Sequence, residues 1–351
     1  MVRFFNLLMT LAILGVVGFI GLIWYSDKTF DAPGPLKKVA TIEVRRGATF
    51  TSIIPELEAK HIIPRQGPLR IFIRGVSSAN KTSALKAGEF ALQPGMSMRQ
   101  VMNHLTEGRS IQHTVTLPEG WTSYQIMERV QFSDILQGDL PPIPAEGSLL
   151  PSTYAFLRGT TRQEAVEHMQ EAQRKALADI WANRADDLPL KTPQELVILA
   201  SIVEKETGLA EERPHVASVF INRLRKGMKL ESDPTIVYGM FGGKGKPKDR
   251  PIYRSDIRRP TPYNTYVIPA LPPAPIANPG IEAMKAVAHP KASDDLFFVA
   301  DGSGGHAFAV TVQQHNANVA KWRKIEAERK KQAKAAAKDI AKKAKELRLS
   351  N

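Results

Sequence analysis

Cysteine is absent from the 351-residue chain, which excludes a disulfide framework, a thiolate metal site and a cysteine nucleophile. Histidine is scarce and scattered: His289, His306 and His315 show no H-E-x-x-H or comparable ligand spacing, so neither a metal site nor a cofactor is expected. No Gly-x-Ser-x-Gly elbow is present, and Gly302-Ser303-Gly304-Gly305 lacks the Lys-Ser/Thr that would complete a phosphate loop. Aromatic residues make up only 7 %, and residues 323–351 contain none. That matters for the charge. The chain carries +13, but residues 321–351 supply +8 of it, with 12 Lys/Arg against 4 Asp/Glu. A Lys/Ala-rich stretch without aromatic stacking partners reads as a solvated helix or tail rather than a nucleic-acid surface. Attraction to anionic lipid or acidic polymer is the alternative role for it.

Long apolar runs are also missing, with one exception. Phe4 to Tyr25 is interrupted only by Asn6 and Thr10 among polar types, long enough to cross a bilayer core, and no Ala-x-Ala-like cleavage site follows it. The expectation is an uncleaved anchor over 1–25. Arg3 precedes the span while Lys28, Lys37 and Lys38 follow it, so the positive-inside count is balanced. Residues 26–38, with Pro33, Gly34 and Pro35, read as a polar linker.

From about 40 to 130 one pattern recurs at Ile42–Ile53, Phe90–Val101 and Val115–Ile126. Each copy has an alternating strand, a glycine (Gly47, Gly95, Gly120), a Ser/Thr two residues later (Thr49, Ser97, Thr122) and a helix-like apolar spacing. A Pro-rich passage at Leu140–Pro144 follows, and Thr161 to Arg184 reads as an amphipathic helix. Thr261 to Gly280 holds six prolines and is expected to form a rigid extended wall.

The most informative stretch is Thr192 to Gly208. Thr192-Pro193-Gln194-Glu195 is a capping box with proline at the first helical position, and Gly208 supplies a left-handed stop. Between them Leu196, Leu199, Ala200, Val203 and Thr207 form one stripe, with Ile198 and Ile202 making the opposite face apolar. The helix is therefore expected to be buried on most sides, yet it carries Glu204 and Glu206. At about 100° per residue these lie about 200° apart, on opposite flanks of the stripe, so they cannot form a close carboxylate pair. An acid in an apolar wall keeps its proton near neutral pH, as a general acid must; the alternative is ion pairing with Lys205, Arg213 or other rim bases. Periodicity does not separate the two glutamates.

These residues, together with Glu146-Gly-Ser-Leu-Leu-Pro-Ser-Thr-Tyr154, Ser218–Leu224, Ser232-Asp-Pro-Thr235, Pro262-Tyr-Asn-Thr-Tyr266, Leu271-Pro-Pro273 and Phe298–Gly302 leading to Gly304-Gly-His306, resemble the YceG-like (MltG) family of endolytic murein transglycosylases. The resemblance spans roughly residues 40 to 322. One departure is Ser152, where the family carries aspartate. The resemblance implies Glu206 as the catalytic residue, with Glu204 second. Glu206 would protonate the oxygen joining N-acetylmuramic acid to N-acetylglucosamine, then take the proton from the muramic C6 hydroxyl as it attacks C1, leaving a 1,6-anhydromuramoyl end. No second catalytic carboxylate is then needed.

Tyr263, Asn264, Tyr266, Asp233 and Glu204 are the candidate substrate contacts; packing, turn, helix-capping and ion-pair roles compete with that reading. The strand–glycine–cap–helix unit is similar to the start of LysM modules, which bind N-acetylglucosamine glycans. The expected fold class is α+β: an N-terminal transmembrane helix (1–25), a linker (26–38), a LysM-like α+β module (39–130), a mixed α/β catalytic domain (131–322) and a basic tail (323–351). Implied partners are peptidoglycan glycan strands, the plasma membrane and cell-wall synthases, with the catalytic part outside the cytoplasm and no nucleic acid. A non-catalytic wall-binding scaffold is the rival reading.

Overall fold

A computed structural model describes residues 2–64 and 85–349. The part of the expected 39–130 module at 65–84 lies outside the described residues. The chain is a mixture of helix and short two-stranded sheets, and it divides into two compact units. The first comprises Met1–Val115, Ser133–Gly138 and Tyr154–Thr161; the second comprises Thr116–Phe132, Asp139–Thr153 and Arg162–Asn351.

In the first unit, α1 (Val2–Asp31) contains the one helix among the described residues that is long and apolar enough to cross a membrane, Phe4–Asp31. At 1.5 Å per residue, 30 residues span about 45 Å, more than a bilayer core of about 30 Å. Its side chains from Phe4 to Tyr25 are exposed. The helix does not stop at Tyr25. Residues 26–31, read from sequence as linker, continue it, because Phe30 is buried in the unit's core and Arg99 Nε donates to Asp31 Oδ1 at 2.6 Å. The rest of the supposed linker is packed too: Leu36 is buried, and Gly95 N donates to its carbonyl at 3.0 Å.

The recurring pattern becomes a recurring geometry. Strands β1 (Ala40–Val44), β2 (Gly88–Leu92) and β3 (Gln112–Thr116) precede helices α2 (Phe50–Ala59), α3 (Met98–Glu107) and α4 (Ser123–Gln131). Gly47, Gly95 and Gly120 have φ of 76°, 75° and 73°, a left-handed turn that glycine adopts without a Cβ clash. Thr49, Ser97 and Thr122 cap the helices, each in a two-way capping box with Ser52, Gln100 or Gln125. β1 and β2 pair antiparallel with Ile42 opposite Phe90, and both side chains are fully buried. β3 pairs with β5 (Thr153–Leu157), and β4 (Leu136–Gln137) pairs parallel with β6 (Thr160–Thr161).

The second unit is built around α6 (Pro193–Glu206), packed by α5 (Arg162–Ala182), α7 (Arg213–Arg225) and α10 (Ile281–Ala288). Every residue from Leu196 to Val203 is buried, as the two apolar faces require. Both helix ends differ from expectation. Thr192 accepts from Glu195 N as predicted, but Glu195 Oε2 reaches past it to accept from Lys191 N at 2.5 Å. Gly208 is not left-handed. The helix ends at extended Thr207 because the chain runs straight on into the turn Ala210–Glu212, with Thr207 Oγ1 accepting from Leu209 N at 3.1 Å.

Further along come α8 (Asp233–Phe241), the short α9 (Arg254–Ile257), and the antiparallel β7 (Phe297–Ala300) and β8 (His306–Ala309). The final helix, α11 (Val312–Leu349), is continuous, with no break at the expected domain edge of 322. Ile325 lies against Gly302, and Arg329 Nη2 donates to the Gly302 carbonyl, so the first turns of the basic segment are helical and pack on this unit.

Candidate active site

The Pro-rich stretch is a wall held by buried polar side chains. Ser201, in the middle of α6, satisfies its hydroxyl on Ile198 O and accepts from Ile276 N at 3.0 Å. Asn278 is fully buried; its Oδ1 accepts from Leu149 N at 3.1 Å, and its Nδ2 donates to Trp121 O, Ser123 Oγ and Glu146 Oε2. Buried amides of this kind are retained only when fully paired, and this one joins three segments far apart in sequence. Asn222 and Arg223 of α7 brace the 293–296 strand approach in the same way, Asn222 through Ser293 O and Arg223 through Leu296 O at 2.7 and 2.6 Å.

At the C-terminus of α6 the two glutamates part. Glu204 turns inward: its side chain is 5 % exposed, Oε1 accepts from Arg213 Nη2 at 3.3 Å and Oε2 from Gly280 N at 2.9 Å. Arg213 also donates to Glu119 Oε2 at 3.2 Å. Burial raises the Glu204 carboxyl, against the pull of the Gly280 N–H and the Arg213 charge. Both of its oxygens are committed.

Glu206 turns the other way and is half-buried. Ser232 Oγ donates to its Oε1 at 2.5 Å. Burial raises the carboxyl to about 6, outweighing the Ser232 hydrogen bond; the Asp233 charge adds to the rise and His306 opposes it. Glu206 lines a cavity of about 210 Å³ together with Gly304, Gly305, His306, Trp322 and Arg329. Such a group carries its proton in the slightly acidic range and can deliver it to a substrate oxygen.

Ser232 stands at the N-cap position of α8 but makes no cap hydrogen bond, since its hydroxyl goes to Glu206 instead. It is pinned by Thr265 Oγ1, which accepts from Ser232 N at 2.9 Å and meets Thr235 Oγ1 at 2.9 Å, all fully or nearly fully buried. Asp233 is the first residue of α8 and accepts from Tyr266 OH at 2.8 Å. Burial, then Asp233, pushes the Tyr266 phenol up. Tyr263 packs edge-on against Tyr238, with ring centroids 4.8 Å apart. Asn264 is spent on the backbone: Nδ2 donates to Ile257 O and Arg259 O at 3.0 and 2.8 Å, Oδ1 accepts from Tyr266 N at 3.0 Å, and the residue is 1 % exposed. Its amide therefore holds the loop and has nothing left to offer a ligand.

Residues 42–321 match the YceG-like family. The chain belongs to that family. It is 27 % identical over 311 residues to the endolytic murein transglycosylase of Bacillus subtilis, an alignment covering 80 % of this chain and 84 % of that protein. It is 28 % identical over 363 residues to the endolytic murein transglycosylase of Streptococcus pneumoniae D39, covering 90 % of this chain and 64 % of the relative, so it spans less than two thirds of that protein. Among solved structures it is similar to a YceG-like protein of Listeria monocytogenes, at 28 % identity, with 80 % of this chain and 98 % of that one covered and a TM-score of 0.48.

Sequence reasoning placed Glu206, Glu204, Asp233, Tyr263, Asn264 and Tyr266 among the candidates. It passed over Ser232 as a ligand of the acid, Asn278 as the joint of the wall, and the pairing of Glu212 with His306. The signal for Ser232 was a cap-type residue before Asp-Pro whose hydroxyl had two possible uses; nothing local decides between them.

Proposed function

We propose that this chain is a membrane-anchored endolytic murein transglycosylase whose catalytic acid is Glu206. The observation that carries the reading is Glu206, its carboxyl raised to about 6 and the residue lining a cavity, while its neighbour Glu204 is closed in an ion pair. Relatives over most of the chain bear that activity in their names. Glu206 protonates the oxygen between N-acetylmuramic acid and N-acetylglucosamine as the bond to C1 breaks. The muramic C6 hydroxyl, losing its proton, attacks C1 and closes the 1,6-anhydro ring. The nucleophile comes from the substrate, so the two-carboxylate arrangement of ordinary glycosidases is not required.

Tyr263 and Tyr266 offer aromatic faces for sugar rings, with Asp233 fixing Tyr266. The β1–α2 and β2–α3 repeats act as a LysM-like glycan-binding part. A murein substrate calls for the body to lie outside the cytoplasm, and the anchor then confines cutting to strands close to the bilayer, where synthases are working. Normal strand length in cells carrying a chain that lacks residues 1–25 would contradict that confinement.

The test is mass spectrometry of uncrosslinked glycan strands incubated with the full chain in detergent. Anhydromuramoyl ends are the expected product. Reducing ends would mean hydrolysis, and intact strands that remain bound would mean a scaffold.

A further inference from the structure

The cavity beside Glu206 contains a second group capable of proton transfer. His306 opens β8, and its Nδ1 lies 2.8 Å from Glu212 Oε2, while its backbone N donates to Glu212 Oε1 at 2.9 Å. A carboxylate has only acceptors to offer, so the contact places a ring proton on Nδ1, and whenever the ring is neutral its lone pair is on Nε2. Nε2 has no hydrogen-bond partner among the described residues, and His306 lines the same cavity as Glu206.

The ring is also fixed in place. Phe298 meets it edge-on at 5.2 Å, and Glu212 approaches the backbone so closely that a Cβ at Gly305 would lie 2.5 Å from Oε1. Glu212 is tied in turn to the residue after the acid: Thr207 Oγ1 donates to its Oε2 at 3.4 Å. The chain Glu206–Thr207, Thr207 to Glu212, and Glu212 to His306 thus sets the imidazole relative to the carboxyl without a direct bond between them. Orienting a histidine by a carboxylate on Nδ1 is how an imidazole is held as a base.

We propose that His306, oriented by Glu212, is the base that takes the proton from the muramic C6 hydroxyl while Glu206 supplies the proton to the leaving oxygen. This rests on the transglycosylase reading above and divides between two residues the roles that one glutamate would otherwise play in turn. The step balances: the C1–O bond to N-acetylglucosamine breaks and its oxygen takes the Glu206 proton; the O6–C1 bond forms, and the O6 proton passes to Nε2. Glu206 ends as carboxylate and His306 as imidazolium, with Glu212 facing the new charge. Proton exchange through solvent restores both after the product leaves, and no water is consumed.

The experiment compares the full chain in detergent with its His306→Ala, His306→Gln and Glu212→Gln variants, reading anhydromuramoyl ends by mass spectrometry. Both His306 variants are expected to lose about 100-fold or more in kcat, the range for general-base catalysis, with KM for glycan retained. His306→Gln keeps a donor for Glu212 and so guards against a loss caused by misfolding. Imidazole added to His306→Ala is expected to restore part of kcat, which a merely structural role would not allow. Glu212→Gln is expected to lower kcat less than removal of the ring. Turnover of His306→Gln within about threefold of wild type, or a loss in His306→Ala that imidazole leaves untouched, would overturn the proposal while leaving Glu206 standing. Absence of anhydromuramoyl ends from the wild type would instead remove the reading on which it rests.

Discussion

The two flanks of the α6 C-terminus begin with the same residue type in one helical turn of the same helix. They end differently. On the Glu204 flank a base and a backbone N–H use both carboxylate oxygens. On the Glu206 flank one hydroxyl meets one oxygen, and a cavity remains. Burial raises both carboxyls, so a perturbed pKa alone does not mark the functional acid. What separates them is the cavity that Glu206 lines and the carboxylate oxygen it leaves without a partner among the described residues.

The strongest way to break that contrast is to unmake the closed flank. Glu204→Ala leaves Arg213, only 11 % exposed, with the half-exposed Glu119 as its remaining carboxylate. Losing one partner of a buried pair typically costs about 3–5 kcal/mol, and the surviving Glu119 contact places this case at about 3 kcal/mol. Urea unfolding checks it, and a cost under about 1 kcal/mol would mean that the pair is no more than a surface contact.

A smaller effect sharpens the open flank. Glu206 has a folded value of about 6 against an ordinary 4.5, so the folded state binds the extra proton between those values. Its contribution is therefore complete below about pH 4.5 and is lost as pH rises through 6. Glu206→Gln removes this dependence. The variant should match wild type at pH 4 and exceed it by about 1–2 kcal/mol above pH 7, read from denaturant midpoints. No gain at pH 7 would mean that the carboxyl is better solvated than its surroundings imply.

Next in size is Ser232→Ala. The Ser232 hydrogen bond lowers the Glu206 carboxyl, so its loss leaves burial unopposed and moves the value further up. If Glu206, raised to about 6, is the acid, the high-pH limb of kcat/KM should shift to higher pH in this variant. A shift downward, or none, would detach that limb from Glu206. The smallest effect is expected at the rim. Tyr266→Phe removes one hydrogen bond to Asp233, worth about 1 kcal/mol, and should alter KM more than kcat. Asn264→Ala, by contrast, strands several backbone carbonyls and should lower Tm while the folded fraction keeps its KM.

Much of this contrast was legible in the sequence, for a physical reason. Helical periodicity alone sends Glu204 and Glu206 to opposite flanks, and the Gly-x-Ser/Thr spacing alone fixes three turns and caps at 47–49, 95–97 and 120–122. These are local rules with a short reach. The partners of each acid are not local: Gly280 and Arg213 for Glu204, Ser232 for Glu206, and the meeting of Glu212 with His306 all depend on how distant segments fold back. The same limit explains the ends. Residues 26–31 look polar enough for a linker until Phe30 finds a core, and Asn264 looks like a sugar ligand until its loop uses every polar atom it has. Gly208 looked like a helix stop because glycine usually is one; here the following turn made the left-handed residue unnecessary.

The most direct test of the central claim, that the open flank carries the chemistry and the closed flank carries structure, is the kcat for anhydromuramoyl formation by Glu206→Gln and Glu204→Gln, measured side by side with their unfolding midpoints. The account predicts a folded Glu206→Gln that has lost about 100-fold or more in kcat, and a less stable Glu204→Gln whose folded fraction turns over near the wild-type rate. The reverse pattern, with Glu206→Gln active and a folded Glu204→Gln inactive, would contradict it.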